Sequence, residues 1–289
     1  EKWLSQWPDK YTVDTVDMTS ASWKEKDFSK YDVVFHVAGI AHRKETKENK
    51  DLYFKVNRDI AYETAKKSKA EGIKQFIFLS SMSVYGIETG TIDKSTPLRP
   101  KSAYGKSKLE AENLISQLQD GFFNIAILRP PMVYGKGCKG NYPRLAKLAL
   151  KTPVFPKIEN KRSMIYIDNL SEFVKQLIDN FSSGLFFPQN AEYVNTSEMV
   201  RLIAELHGKK IRMTKVFNPF INLMSRIGTV NKVFGNLVYD LPLSKYGGAN
   251  YHIRDLKRSI ELTELESEQR REYGERTKTT RCSIRVVKS

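Results

Sequence analysis

Apolar and polar positions follow two rhythms along the first half of the chain. Tyr11 to Val16 alternates residue by residue and stops at Asp17, the period of a strand. Tyr31-Asp32-Val33-Val34-Phe35-His36-Val37-Ala38-Gly39 is instead nearly continuous and leaves through small residues, which suits a parallel strand covered on both faces. Lys50 to Ala70 keeps a helical period until Gly72 stops it. Ile73 to Leu79 is a third strand that runs straight into Ser80-Ser81. A Pro/Gly/Thr loop from Gly86 to Pro100 leads to a helix at Ser102 to Leu118, and Asn124 to Leu128 is a fourth strand ending at Arg129-Pro130-Pro131. Strands alternating with helices of this length predict an α/β fold built on a parallel, doubly wound sheet.

Beyond Gly135 the texture changes. Asn141 precedes a short helix, Tyr142 to Leu150, and is a candidate cap for it. Met164 to Ile167 reads as a further strand, with Asp168 as the N-cap of the next helix. Thr196-Ser197-Glu198 opens a helix closed by Gly208, and Lys210 to Val216 is a strand. Phe217 to Val238 carries aromatic, Leu and Ile residues at helical spacing, the pattern of a packed face. Ser259 to Glu264 reads as a last helix, and residues 265–289 as a loose basic tail without a role in chemistry. The predicted division is 1–138 with about 164–182 as one domain, and 139–163 with 183–264 as a smaller C-terminal lobe.

Composition narrows the class. With 289 residues and 40% hydrophobic positions the chain has material for a sizeable core. Cys138 and Cys282 are far apart and match no metal spacing, so reduced thiols in a cytoplasmic protein are expected. No apolar run approaches the ~18 residues of a membrane span, so no membrane insertion is expected. The formal charge of +15 allows a nucleic-acid binder, but the lysines are dispersed and not interleaved with aromatics. An anionic small molecule is the expected partner, and nucleic acid is not.

Chemistry concentrates in Ser102-Ala103-Tyr104-Gly105-Lys106-Ser107-Lys108. Tyr104 and Lys108 share a helix face. A free phenol has a pKa near 10, and a neighbouring ammonium favours the phenolate, making tyrosine usable as a general acid/base. A Tyr-x-x-x-Lys pair alone is a common accident on surface helices. Its position gives it weight: Ser81, with Ser83 as the alternative, is delivered by the end of a buried strand, where open α/β sheets hold ligands.

Together these segments resemble the extended short-chain dehydrogenase/reductase family, within it the nucleotide-sugar epimerases, dehydratases and ketoreductases. The residues that carry the resemblance are His36-Val37-Ala38-Gly39, Val56-Asn57, Ser80-Ser81-Met82-Ser83-Val84-Tyr85-Gly86, Tyr104-Gly105-Lys106-Ser107-Lys108, Leu128-Arg129-Pro130-Pro131-Met132-Val133-Tyr134-Gly135 and Arg162 to Leu170. The resemblance implies a Rossmann-type sheet, a dinucleotide cofactor and, position by position, the following roles. Tyr104 is the acid/base, Lys108 binds the nicotinamide ribose and lowers the tyrosine pKa, and Ser81 holds the oxygen at the reacting sugar carbon. Asp17 takes the adenosine ribose hydroxyls, with Asp14 the rival, which favours NAD over NADP while leaving NADP open. Ala38 and Gly39 line the cofactor, Asn57 sits behind the nicotinamide, and Pro130 to Val133, including Pro131, back its ring. Arg162 reaches the diphosphate of a UDP-sugar. Asn141 is either a substrate contact or only a cap. Helices at 50–70 and 102–118 imply a homodimer.

Two departures stand out. The family's first strand and Gly-x-x-Gly-x-x-Gly turn, whose backbone N–H groups hold a pyrophosphate, have no counterpart before Asp17, so the chain reads as N-terminally truncated and poor NAD binding is expected. The stretch from Asp17 to Tyr31 is also short. Met82 and Ser83 stand where a dehydratase needs an acid after the serine, which leaves a UDP-hexose or UDP-N-acetylhexosamine 4-epimerase first and a 4-ketoreductase second. A non-catalytic nucleotide-sensing protein of the same fold is the reading from another class.

Overall fold

The computed structural model describes residues 2–41, 43–223, 228–247, 250–272 and 283–288. Its elements, in order, are β1 (Thr12–Asp17), β2 (Val33–His36), α1 (Lys50–Phe54), a π-helical turn (Lys55–Asp59) and α2 (Ile60–Ala70). There follow β3 (Gln75–Leu79), β4 (Gly90–Ile92), α3 (Ala103–Ser116), β5 (Asn124–Leu128), β6 (Met132–Tyr134), α4 (Tyr142–Lys151), β7 (Val154–Pro156) and β8 (Met164–Tyr166). The chain continues through α5 (Ile167–Asp179), β9 (Gly184–Phe186), α6 (Thr196–Leu206), β10 (Arg212–Thr214), α7 (Asn218–Leu223) and α8 (Gly228–Phe234), then β11 (Leu237–Tyr239), α9 (Leu256–Glu272) and β12 (Ser283–Lys288).

The main sheet has the order β1-β12-β2-β3-β5-β9. β2, β3 and β5 pair in parallel, as their uninterrupted apolar runs predict, and β9 joins β5 in parallel. Alternate residues serve opposite faces. Val34, Phe76, Phe78, Ile125 and Ile127 pack against α2 and α3 through Ala61, Ala65, Ala111 and Ile115. Val33, Ile77, Ala126 and Leu128 pack against Leu170, Phe173, Val174, Leu177 and Ile178 of α5. Helices on both faces make this a doubly wound α/β fold, and they put the C-terminal ends of the parallel strands along one edge.

β12 corrects the sequence reading. The tail was expected to be loose, but residues 283–288 run antiparallel between β1 and β2, from Thr12 opposite Lys288 to Asp17 opposite Ser283. Val286 faces one core and Val287 the other, both fully buried. The reason is backbone chemistry: without a strand here β1 and β2 would each leave a row of N–H and C=O groups unpaired inside the sheet. The sheet is therefore mixed, and the slot where the resemblance implies a missing strand is filled. Cys282 lies outside the described residues. Between β1 and β2, where the sequence is short, a 3-10 turn (Ala21–Glu25) buries Trp23 in place of a further strand.

The C-terminal elements form smaller ribbons, β6 with β8, β7 with β10 and β4 with β11. The first two border a third core, in which Leu145 of α4, Met199, Val200 and Ile203 of α6 and Ile260 of α9 meet, while Ile92 and Tyr239 of the last pack with Val84 and Tyr85. Three local expectations need correction. Tyr166, not Asp168, is the N-cap of α5, and Asp168 lies in its first turn. The last helix extends well beyond Ser259–Glu264, to Glu272. The stretch from Phe217 to Val238 is not one packed helical face: it breaks into α7, α8 and β11, and Phe217 and Phe220 stand exposed.

Candidate active site

The site is assembled where β2, β3 and β5 end. β3 gives way at Ser80-Ser81, and the chain turns through a 3-10 helix (Met82–Tyr85) capped by the Ser81 hydroxyl, which accepts from the Ser83 N–H at 3.1 Å. That helix ends at Gly86, in the left-handed region at φ +66°, where a Cβ would also sit 1.8 Å from the Arg99 carbonyl oxygen. α3 starts against the same loop. Ser102 caps it by accepting from Gly105 N–H at 3.1 Å. Gly105 is needed for the approach itself, since a Cβ there would lie 2.6 Å from the Ser83 carbonyl oxygen. Tyr104 is thereby held beside Ser81.

Burial raises the Tyr104 pKa above that of free tyrosine, the facing Ser81 hydroxyl lowers it, and Tyr53, edge-on with ring centroids 6.5 Å apart, adds to the rise. The lowering by Lys108 implied by the resemblance is not among these influences. The Lys108 side chain is buried and its Nζ donates to the Leu79 carbonyl at 2.8 Å, 4.6 Å from the Phe78 ring centroid. Burial thus favours the neutral phenol.

Asn57 is the organiser of the β2 side. It lies in the π-helical turn, a one-residue irregularity that re-aims a side chain inside an otherwise regular helix. Its Oδ1 accepts from Ile40 N–H at 2.8 Å, and its Nδ2 donates to the Ile40 carbonyl at 3.1 Å and to Ser107 Oγ at 3.2 Å. One amide thus ties the loop after β2 to α3, and Ser107 passes the link to the Tyr104 carbonyl at 2.9 Å. Gly39 is exposed and closes the cradle: a Cβ there would be 2.9 Å from Asn57 Oδ1 and 3.4 Å from Lys108 Nζ.

Beneath the site lies a network that sequence reasoning missed. Arg129, at the end of β5, meets Glu112 through Nε at 3.1 Å and Nη2 at 2.6 Å, with both side chains less than a tenth exposed. Arg129 Nη1 donates to Tyr85 OH at 2.9 Å, and Ser80 donates to Glu112. Ser80 is thus structural. The available signal was Glu112 itself, a charge one helical turn beyond Lys108 on the inward stripe of α3.

The other predicted residues are placed separately. Asp17, at the end of β1, accepts from Thr19 N–H at 2.9 Å and Thr19 Oγ1 at 2.7 Å, and β12 stands between it and β2. Its rival Asp14 is bonded to Tyr31. Ala38 is buried in the α2/α3 core. Pro131 is buried, and Val133 packs from β6 onto the α5 core. Asn141 makes no side-chain cap bond to α4, so the cap role is not taken up. Arg162 Nη1 donates to the Gly235 carbonyl at 2.9 Å and the Asn231 carbonyl at 3.2 Å. No carboxylate pairs with it among the described residues, and burial lowers its pKa. A half-buried guanidinium without a counter-ion is poised for an anion.

The nicotinamide cofactor implied by the resemblance fits this site at one end. Gly39, Asn57, Lys108 and Tyr104 lie at this end, and Gly39 leaves room beside Asn57 and Lys108 that a Cβ would fill. His36 is fully buried, stacked on Phe76. At the other end, the slot next to β1 holds β12, and among the described residues no glycine turn opens a helix there. No group of His, Cys, Asp and Glu suited to a metal occurs among the described residues.

The sequence profile of the NAD dependent epimerase/dehydratase family matches residues 4–186. The chain is 32% identical over 231 residues to the UDP-glucose 4-epimerase of Vibrio cholerae, covering 74% of this chain and 70% of that protein. It is 27% identical over 213 residues to the N-acetyl-alpha-D-glucosaminyl-diphospho-ditrans,octacis-undecaprenol 4-epimerase of Escherichia coli O157:H7, covering 71% of this chain and 61% of that one. Among solved structures, a UDP-glucuronic acid 4-epimerase from Bacillus cereus in complex with NAD aligns with a TM-score of 0.64 at 22% identity, over 82% of this chain and 74% of its own. A dTDP-4-dehydrorhamnose reductase from Clostridium acetobutylicum aligns at 0.62 and 20% identity, over 82% and 81%. These two structural likenesses speak to the fold.

Proposed function

Because the chain belongs to the NAD dependent epimerase/dehydratase family, we propose that it inverts C4 of a UDP-hexose or UDP-N-acetylhexosamine. The observation that carries this reading is the pairing of the Tyr104 phenol with the Ser81 hydroxyl at the strand ends, with the buried Lys108 ammonium bonded to the Leu79 carbonyl at the end of β3. NAD, when bound, would supply reversible hydride acceptance. Ser81 would hold the C4 oxygen by a hydrogen bond, and Tyr104 would exchange the proton of that oxygen. Lys108 and Asn57 would fix the nicotinamide ribose side against Gly39. Pro131 and Val133 would back the ring. Arg162 and the uncapped side of Asn141 would receive the diphosphate and sugar. Asp17 would take ribose hydroxyls only by giving up its Thr19 bonds. A second copy is proposed to pack on the outer face of α1 and the π-helical turn, where Asp51, Leu52, Phe54, Lys55, Arg58 and Asp59 line a concavity of about 730 Å³.

The experiment is incubation of the purified chain with UDP-glucose and, separately, UDP-N-acetylglucosamine, with and without NAD, resolving C4 epimers by NMR. Epimer formation that Tyr104→Phe abolishes supports the reading. Consumption of NADH or NADPH in step with loss of a UDP-4-keto-6-deoxy-N-acetylhexosamine would transfer the assignment to a 4-ketoreductase. No turnover of either kind would leave a non-catalytic member of the family.

A further inference from the structure

The geometry points to a face of the C-terminal lobe that docks on an anionic lipid bilayer. From Leu206 to Tyr239 the sequence holds Lys209, Lys210, Arg212, Lys215, Arg226 and Lys232 and not one Asp or Glu. Within this stretch α7 and the residues before it turn large apolar side chains outward: Val216 is 79% exposed, Phe220 62% and Leu223 78%, with Phe217 also exposed. Single exposed apolar residues are ordinary, but four within eight positions form a patch that calls for a partner.

The patch is firmly mounted. β10 pairs with β7, so that Arg212 lies opposite the exposed Val154, and Lys157 N–H donates to the Thr214 carbonyl at 2.8 Å. Asn218, at the start of α7, donates from its side chain to the Lys157 carbonyl at 2.9 Å. Lys157, Arg212 and Lys215 are exposed around the apolar residues, and Glu159 is the nearest acid along the β7 side. Apolar side chains at the centre and cations at the rim match a surface with an apolar interior beneath a negative headgroup layer.

This charge pattern selects the occupant. A second copy of a chain with a net charge of +15 would bring a like-charged rim against this one. A nucleic acid would engage the cations and leave Phe220 and Leu223 in water. Among the described residues no helix is long and apolar enough to cross a membrane, so the contact is interfacial. Arg162 binds the carbonyls of Asn231 and Gly235 at the end of α8, so the docking face and the proposed diphosphate site share one element sequence.

The test is co-sedimentation of the full chain with phosphatidylcholine vesicles and with vesicles containing 30% phosphatidylglycerol. Binding to the anionic vesicles at 0.1 M salt is expected, with little to the neutral ones and at least a tenfold loss at 0.5 M salt. Phe220→Ser with Leu223→Ser should weaken it at least tenfold at an unchanged melting temperature, and each Lys157→Gln or Lys215→Gln about fivefold. Phe220→Trp should keep binding, with emission shifted to the blue and quenched by brominated lipid. No binding to anionic vesicles, or equal binding by the double serine variant, overturns the inference. So does a dimer dissolved by Phe220→Ser, or a DNA duplex that binds more tightly than the vesicles.

Discussion

Glu112→Ala tests whether the ion pair under the site is truly desolvated. The substitution leaves the Arg129 guanidinium buried, with Tyr85 OH as its remaining side-chain partner. Removing one member of a buried pair costs about 3–5 kcal/mol, because the other charge stays out of water uncompensated. Ser80 also loses its acceptor, at about 1 kcal/mol. The total, about 4–6 kcal/mol, is a large part of a typical stability of about 5–15 kcal/mol. With an unfolding entropy of about 2 cal/mol/K per residue, it corresponds to a fall in Tm of about 7–10 °C. The double replacement Glu112→Leu with Arg129→Met removes both charges and should cost far less than the single change. Thermal and urea unfolding of the three proteins read this directly. A loss below about 1 kcal/mol in the single variant, or a double variant as unstable as the single, would refute the reasoning, since the pair would then be solvated.

Other expectations follow from the same coordinates. His36 is depressed to about 3 by burial first, then by Lys108. The unfolded chain therefore binds this proton more readily, and stability should fall by about 1.4 kcal/mol per pH unit as pH drops from 6.5 towards 3. Urea unfolding at pH 7, 5 and 4 should show His36→Phe flattening this slope, and an unchanged slope counts against it. Gly39→Ala would press its Cβ on Asn57 and Lys108. NAD affinity should drop at least tenfold with little change in Tm, and calorimetric titration showing equal affinity rejects the cradle. Val286→Asp puts a carboxylate into the α2/α3 core at a cost of several kcal/mol. It should leave the protein insoluble or unfolded by circular dichroism, and a normal melt would mean that β12 is not in the sheet.

The alternating elements were readable because their periods are local: the apolar runs of β2, β3 and β5 and the helical run that opens at Ser102 each declare themselves within a dozen residues. The site was readable in part for the same reason, since Ser81, Tyr104 and Lys108 sit at a strand end and on one helical turn. Long-range pairings left no such trace. Glu112 and Arg129 meet only after α3 folds over β5, and the orientation of Asn57 depends on a π-helical turn that its sequence does not advertise. β12 was hidden because Ile284-Arg285-Val286-Val287 is a brief β-branched run among charges, and a strand is specified by the two edges that accept it as much as by its own residues. The bond from Lys108 to the Leu79 carbonyl is likewise a contact that spacing on a helix does not reveal.

The position of β12 also sets an order of events during folding. Thr12 faces Lys288, so two strands far apart in sequence must meet before β1 can join the rest of the sheet. Until then β2 can pair with β3, and β3 with β5, but the other edge of β2 lacks β12. Such a contact carries the greatest loop-closure cost in the chain and is slow to form. A folding intermediate with an exposed edge at β2 is therefore built into the topology, a species suited to chaperone capture and prone to strand exchange with a second chain.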